Sequence, residues 1–304
     1  MKRVPWVGLG TAPLGGIYDN KMMSDSDAKT LILQAIKNDI TFFDTSPYYQ
    51  RSEEVLGKAL RGIPRNSYTL SSKAGRIDDT TFNFSPEWLS KSLQNSLQTL
   101  GTSYLDIFLL HDVEFTHDTF ESVIMDIAIP HLYQLKQNGY VKAIGLSFYP
   151  LEIARRAMAH PNAHLLDVVL TYGHNNLVDC SLENVRDLLH QNRVQIIDAS
   201  PFAMGLLTTK GPPEWHEASS ALKSECQRIA LQQKINNGKS LEEIALRFAL
   251  QNNLANNYAC LLLGCRSIDE LRFNIDIIKT CKNQNIDEDE IQIQNQLISF
   301  KAIQ

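Results

Sequence analysis

The sequence predicts an α/β fold of one domain, a (β/α)8 or TIM barrel taking in residues 1–304. Three observations carry that expectation. Short apolar runs alternate with longer amphipathic stretches almost from end to end, the pattern of parallel strands joined by right-handed helical crossovers. About eight such units fit into roughly 280 residues, the count and length of that barrel. The rival, an open doubly wound sheet, would carry G-x-G-x-x-G after its first strand and an acid about 20 residues on. Here Gly8-Leu9-Gly10-Thr11-Ala12-Pro13 lacks the third glycine, and Pro13 stands where the helix would start.

The elements follow in order. A first strand precedes a helix over 26–38, and Thr41-Phe42-Phe43 precedes one over 52–60. Tyr68 to Ser72 is the third strand. Its helix covers 85–100, with the Ser85 hydroxyl as N-cap, Pro86 in the first turn and Glu87 behind it. Tyr104 to Leu110 is densely apolar, as a strand covered on both faces should be. A helix over 119–138 stops at Gly139, a C-cap. Strands over 141–146, 167–170 and 194–199 alternate with helices over 150–159 and 181–192. A strand over 258–263 and a helix over 267–281 close the series, and 221–257 receives no assignment.

Two regions break the rhythm. Residues 200–220 form a loop rich in Gly and Pro after the seventh strand, and at a strand's carboxyl end such a loop is expected to cover a substrate or cofactor. Residues 285–304 place Ile291, Ile293, Leu297, Ile298 and Phe300 after an acidic start, which reads as a C-terminal amphipathic helix packed on the barrel.

Composition narrows the function classes. With 29 Lys+Arg against 34 Asp+Glu and a net charge of -5, the chain lacks the basic face of a nucleic-acid binder. No run of about 18 apolar residues suggests a membrane span. Five cysteines without C-x-x-C or zinc spacing point to free thiols in a reducing compartment, so the cytoplasm is expected. The N-terminus reaches Gly8 and Gly10 before any long apolar stretch, unlike a secretory signal. The eight histidines form no H-x-H pair, and no metal site is expected.

In a barrel the functional groups gather where strands end. Those positions hold Asp44, Lys73 and His111, with Tyr49 five residues past Asp44. Singly, Asp44 reads as a turn residue and His111 as a satisfied structural group. Jointly the four describe a tuned proton relay. A phenol with an ordinary pKa near 10 exchanges protons poorly at neutral pH, whereas a nearby ammonium favours its phenolate. A carboxylate on the lysine keeps it charged and fixed, and the imidazole can orient a substrate oxygen. No covalent nucleophile is evident, so a cofactor is expected to supply the remaining chemistry.

Together these motifs resemble the aldo-keto reductases, single-domain NAD(P)-dependent barrels. The resemblance runs through Gly8-Leu9-Gly10-Thr11, Phe43-Asp44-Thr45-Ser46-Pro47-Tyr48-Tyr49, Ser72-Lys73, Leu110-His111, Ile144-Gly145-Leu146-Ser147, Ala199-Ser200-Pro201 and Leu263-Gly264-Cys265-Arg266-Ser267. It implies Tyr49 as proton donor or acceptor, Lys73 and Asp44 as its tuning pair, and His111 as the group that positions the substrate oxygen. It also implies cofactor contacts at Gly10, Thr11, Ser147, Ser200, Phe202, Gly205, Gly264, Arg266, Ser267, Glu270 and Asn274. The family's Ser-Asn pair becomes Ser147-Phe148, its following Gln is matched by Thr171 with Tyr172 next, and its stacking aromatic is matched by Ala199. Gly264 and Glu270 stand where NADPH-preferring members place Lys and Arg, so NAD is expected, with NADP as the alternative and Arg266 as one remaining cation.

Within the family the likeness is greatest to the aldose 1-dehydrogenases, carried by His111-Asp112-Val113-Glu114-Phe115 and by the run from Ser200 through Leu207 to Trp215-His216. It implies oxidation of an aldose such as L-galactose, D-arabinose or L-fucose at C1. By their own chemistry Asp112, Glu114 and Trp215 are candidate substrate contacts, since carboxylates accept from hydroxyls and an indole packs on a sugar ring; the alternatives are Trp215 as a loop anchor and Asp112 as partner to a nearby backbone amide. An NADPH-dependent aldehyde reductase, a pyridoxal dehydrogenase and a slow-turnover cofactor-sensing subunit are the alternatives. A glycosidase using Asp112 and Glu114 would leave the Tyr/Lys/Asp/His set without a role. The expected assembly is a monomer or homodimer, with no nucleic-acid or membrane partner.

Overall fold

Eight parallel strands close on themselves in chain order in the computed structural model, which describes residues 5–17, 22–236, 238–281 and 287–302. They are β1 (Val7–Gly10), β2 (Phe42–Asp44), β3 (Thr69–Ala74), β4 (Leu105–His111), β5 (Val141–Phe148), β6 (Val168–Tyr172), β7 (Gln195–Ala199) and β8 (Cys260–Gly264). Closure comes from β1 and β8, which pair Val7 with Leu261 and Gly10 with Gly264. The (β/α)8 barrel read from the periodicity is the observed fold.

The helices are α1 (Ala12–Gly15), α2 (Asp25–Lys37), α3 (Ser52–Leu60), α4 (Pro86–Leu100), α5 (Ile129–Gln137), α6 (Glu152–Ala159), α7 (Glu183–Gln191), α8 (Ser220–Ile235), α9 (Leu241–Ala255), α10 (Ile268–Cys281) and α11 (Glu288–Ala302). Their ends follow the local chemistry. Ser85 caps α4 by accepting from Trp88 N, Pro86 occupies the first turn, and Gly101 ends the helix at φ 67. None of the described helices is long and apolar enough to cross a membrane.

Alternation along each strand sorts side chains between two cores. Phe42, Ile107, Leu109, Ala143, Val168, Leu170, Ile197, Cys260 and Leu262 fill the lumen. Their neighbours Phe43, Phe108, Ile144, Val169, Ile196 and Leu261 face the helices. The lumen is full: a Cβ on Gly8 would lie 2.8 Å from both Leu262 and Phe42 side-chain carbons. At its carboxyl end this apolar filling gives way to Asp44, Lys73 and His111.

Three expectations need correction. The helix expected over 119–138 is two pieces, a π-helical segment Phe120–Ala128 and then α5. Pro130, inside the first turn of α5, donates no backbone N–H and crowds the preceding turn. The chain answers with a wider turn, in which Ile129 N reaches back to Ile124 O. Between β7 and β8 lie two helices, α8 and α9, where no element was assigned. Helix α9 buries residues on most of its surface, which weakens any one-sided pattern. Pro13 does not block helix formation: it lies inside the four-residue α1.

Helix α11 packs Ile293 and Leu297 against Leu222, Cys226 and Ile229 of α8 and Ile244 and Phe248 of α9. Its first turn is pinned by an ion pair between Glu290 and Arg247 of α9, both buried.

A polar network braces the outside of β7. Asp198 Oδ2 accepts from Asn175 Nδ2 at 2.7 Å, and Asn175 Oδ1 accepts from Asn252 Nδ2 of α9 at 2.5 Å. Asn252 in turn accepts from Asn256 at 2.7 Å, and Arg186 of α7 donates to Asn256. Complete burial pushes the Asp198 carboxyl up from 3.8 to about 8. The folded state thus holds this proton more tightly than the unfolded chain does. Stability from this group is therefore fully present below the unfolded value and is lost as pH rises through about 8. Urea midpoints measured at intervals from pH 4 to 9 should fall across that window, and Asp198→Asn should flatten the fall. A slope unchanged by the substitution would assign the pH dependence elsewhere.

Candidate active site

Strand alternation turns Asp44, Lys73 and His111 to the lumen side at the barrel's carboxyl end, as the last or near-last residues of β2, β3 and β4. Lys73 is fully buried. Its Nζ donates to Asp44 Oδ2 at 2.5 Å, to Thr45 O at 3.1 Å and to Tyr49 Oη at 3.3 Å. Lysine has three donors and no acceptor, so these contacts use its full capacity. The ammonium also lies 4.8 Å from the Tyr49 ring centre. Tyr49 is half-buried and links the interior pair to the open mouth.

His111 closes the set, its ring meeting Tyr49 edge-on with centres 5.5 Å apart. Burial, then Lys73, then Arg76 hold the imidazole well below its usual value, so it is neutral at working pH. Its Nδ1 is 3.0 Å from Ser46 Oγ. That oxygen accepts from Tyr48 N at 3.2 Å and keeps a proton that it can donate to Nδ1. With Ser46 as the donor, the neutral ring carries its hydrogen on Nε2.

Several neighbours act on the backbone beneath these groups. Thr11 Oγ1 donates to Asp44 O at 2.9 Å, Thr11 N reaches the same carbonyl at 2.8 Å, and Ser52 Oγ donates to Thr11 O at 2.8 Å. Thr11 is fully buried, so it fastens the end of β2 rather than facing the mouth as a cofactor contact would. Gly15 packs below the tyrosine: a Cβ there would fall 1.9 Å from Tyr49 O and 2.8 Å from Ser52 N. No motif in the sequence marks Gly15 for this role, because the close approach is tertiary.

Ser147 ends up beside the site, paired in register with His111 on one side and Leu170 on the other. Leu170, not Thr171, is therefore its lumen-facing neighbour on β6. Thr171 pairs with Phe148 and Asp198, on the outer face, and is corrected as a cofactor contact. Tyr172, one residue on, returns to the lumen side, with its ring 5.1 Å from Tyr149. A one-residue slip in register exchanges the faces, and spacing along one chain does not reveal it.

The mouth wall after β3 and β4 is charged. Arg76 Nη1 donates to Asp112 Oδ2 at 2.5 Å, and its guanidinium lies over the Tyr48 ring at 3.8 Å. Tyr48 Oη donates to Asp79 at 2.6 Å. Asp112 is thus engaged by Arg76, a residue the sequence reading leaves out. Burial pushes the Glu114 carboxyl up to about 7; its Oε1 accepts from Tyr149 N at 3.0 Å and its Oε2 has no hydrogen-bond partner among the described residues.

The loop after β7 opens under backbone strain, with left-handed φ at Ser200 (65), Ala203 (45) and Met204 (52) before Gly205 (97). Trp215, about half-exposed, packs against His216, which is anchored to Ala203 O at 2.9 Å. Phe202 is partly buried against both outer hydrophobic clusters.

At the carboxyl end of β8, Gly264 leaves open space that a side chain would narrow toward Pro13, 3.4 Å from a Cβ. Ser267 caps α10 by accepting from Glu270 N at 3.1 Å, while Glu270 accepts from Arg266 N at 2.8 Å and pairs with its guanidinium at 3.5 Å. A cavity of about 550 Å³ opens beside this helix start, lined by Arg266, Ser267, Asp269 and Arg272 with Asp27 and Met22 opposite. Arg266 and Arg272 are paired with Glu270 and Asp269, so it is the start of α10 that suits the pyrophosphate of a nicotinamide dinucleotide here. Asn274 faces away from that role, donating to Cys265 Sγ at 3.4 Å. No disulfide joins cysteines among the described residues, and burial pushes the Cys265 thiol up to about 12, which makes it inert. His160 and His164 have H-x-x-x-H spacing, yet among the described residues no three His, Cys, Asp or Glu side chains converge on a metal position.

A closed parallel barrel that gathers a buried lysine–carboxylate pair, a tyrosine and a histidine at its mouth has the arrangement expected of an oxidoreductase. The chain belongs to the aldo/keto reductase family, whose pattern matches residues 6–298. It is 34% identical over 293 residues to L-galactose dehydrogenase from Arabidopsis thaliana, covering 95% of this chain and 89% of that one. It is 31% identical over 289 residues to D-arabinose 1-dehydrogenase from Saccharomyces cerevisiae, covering 89% and 84%. An aldo-keto reductase from Bacillus halodurans, solved in its holo form, superposes with a TM-score of 0.74 at 22% identity, over 96% of this chain and 91% of that one.

The packing under Tyr49 generates a direct test. Gly15→Ala must displace the Tyr49 carbonyl, and a misplacement of about 1 Å at a reacting group can cost roughly 100-fold in rate. The variant should keep its far-ultraviolet circular dichroism and lose about ten- to a hundredfold in kcat. Unchanged kcat would show that Tyr49 does not depend on this contact.

Proposed function

We propose that this protein oxidises C1 of an aldose to the lactone, with NAD as hydride acceptor. The observation that carries the reading is the chain of contacts from Asp44 through Lys73 to Tyr49 Oη, set beside a neutral His111. The anomeric hydroxyl gives its proton to Tyr49 Oη, which acts as the base 3.3 Å from the Lys73 ammonium. Asp44 keeps that ammonium charged and fixed. His111 offers Nε2–H to the same substrate oxygen and so orients C1. A bound nicotinamide supplies the hydride acceptor. In the reverse direction Tyr49 returns the proton to the sugar oxygen.

The choice of an aldose rests on the relatives named L-galactose dehydrogenase and D-arabinose 1-dehydrogenase. It is supported by acceptor-rich groups at the mouth. Asp112 Oδ1, 3.7 Å from His111 Nε2, suits a sugar hydroxyl, and the half-exposed Trp215 suits the apolar face of a sugar ring. The strained residues 200–205 and the rest of the 200–220 loop are assigned to covering the bound ligands. Five free thiols suit a reducing compartment, and the cytoplasm is the proposed location.

Preference for NAD over NADP follows from charge. Arg266 and Arg272 line the cavity beside α10, but Asp27 and Asp269 line it too, and Glu270 ties up Arg266. A 2′-phosphate would meet no net positive charge among these groups.

Two measurements test the reading. Tyr49→Phe should lower turnover of the best substrate among L-galactose, D-arabinose, L-fucose and pyridoxal by about 10²–10⁴-fold, the usual contribution of a positioned acid or base. Binding of NADH, followed by fluorescence, should survive the change; unchanged turnover would remove Tyr49 from the mechanism. The same fluorescence titration should show NADH binding at least about tenfold more tightly than NADPH. The reverse order would overturn the charge argument.

A further inference from the structure

Asp112 is a hazard to the proposed role of His111. Its Oδ1 lies 3.7 Å from His111 Nε2, the nitrogen assigned to the substrate oxygen. Its backbone is left-handed at φ 53, and the residue is buried. An unsatisfied carboxylate in that position would favour imidazolium and draw the Nε2 hydrogen to itself.

Arg76 removes the hazard. Its Nη1 donates to Asp112 Oδ2 at 2.5 Å, its Nε donates to Asp78 O at 3.2 Å, and its plane lies on Tyr48, whose ring meets His111 edge-on at 5.8 Å. The charged and titratable groups around His111 are then Lys73 from β3, with Asp44 behind it, Tyr48 and Tyr49 from the loop after β2, Arg76 and Asp79 from the loop after β3, and Asp112 and Glu114 after β4. Tyr172 adds a phenol from β6. Among them Asp112 is the carboxylate nearest Nε2, and it is the one Arg76 takes up.

We propose that Arg76 is a positioning residue: by engaging the Asp112 carboxylate it keeps His111 neutral and leaves Nε2–H for the substrate oxygen. This rests on the reading of His111 as the substrate's hydrogen-bond donor. It predicts that Arg76 matters because Asp112 is there, which a packing role or a direct substrate contact would not require.

The test is a double-mutant cycle with a spectroscopic arm. In full-length protein labelled with ¹⁵N-histidine, the signal lost in His111→Asn identifies His111, and its titration is followed without substrate. R76M should raise the proton affinity of His111 by at least about tenfold, whereas R76K and R76M/D112N should leave it near the wild-type value. In turnover, R76M should lower kcat/KM by roughly 30-fold in the wild-type background and by less than about threefold in the D112N background. An unmoved His111 titration in R76M overturns the proposal whatever the enzyme's substrate proves to be. Equal losses in the two backgrounds would instead make Arg76 a direct substrate contact and would also overturn it. If R76M does not fold, R76Q, which keeps a planar group over Tyr48, carries the same comparison.

Discussion

A lysine ammonium sealed from water must be answered by a carboxylate, and here Lys73 and Asp44 answer each other at the end of the barrel lumen. The desolvation of such a pair is severe, and removal of either partner typically costs about 3–5 kcal/mol. The surrounding structure accordingly over-determines it. Thr11 and Ser52 fix the backbone of Asp44, the Thr45 carbonyl takes a further lysine proton, and the apolar filling below leaves the ammonium nowhere else to go. What remains of the lysine's donor capacity points at Tyr49. The Tyr49 phenol is thus placed by the requirements of a buried charge.

From that pair outward the site is a graded exit from the core. Lys73 is buried, Tyr49 is half-buried, and the charged wall of Arg76, Asp112 and Glu114 faces the mouth. His111 stands at the boundary, where burial and two nearby cations keep its imidazole neutral. In the proposed reaction, a neutral imidazole donates a hydrogen bond without competing for the proton passed to Tyr49.

The fold and the four central residues were legible in the sequence because both rest on short-range pattern. Apolar alternation marks strands, and a strand's last polar residue marks the barrel mouth. What was not legible depends on pairings between distant segments. Arg76 meets a carboxylate 36 residues on, and Gly15 matters because the Tyr49 carbonyl lies against it. Thr171 and Leu170 trade faces according to the register of β6 against β5. Thr11, in a glycine-rich motif suggestive of cofactor contact, is absorbed into hydrogen bonds that hold Asp44. Helix α9, buried over most of its surface between the barrel and α8, carries little one-sided pattern to read.

The central claim is that the buried pair sets the state of Tyr49 for removal of the C1 hydrogen from an aldose. The most direct measurement is transfer of deuterium from C1-deuterated L-galactose to the oxidised dinucleotide, in the wild-type protein and in Lys73→Met. The account predicts label in the reduced cofactor with a primary isotope effect, and a rate lowered by about 100-fold or more in the variant. Label absent from the cofactor, or transfer at the wild-type rate without Lys73, would contradict it.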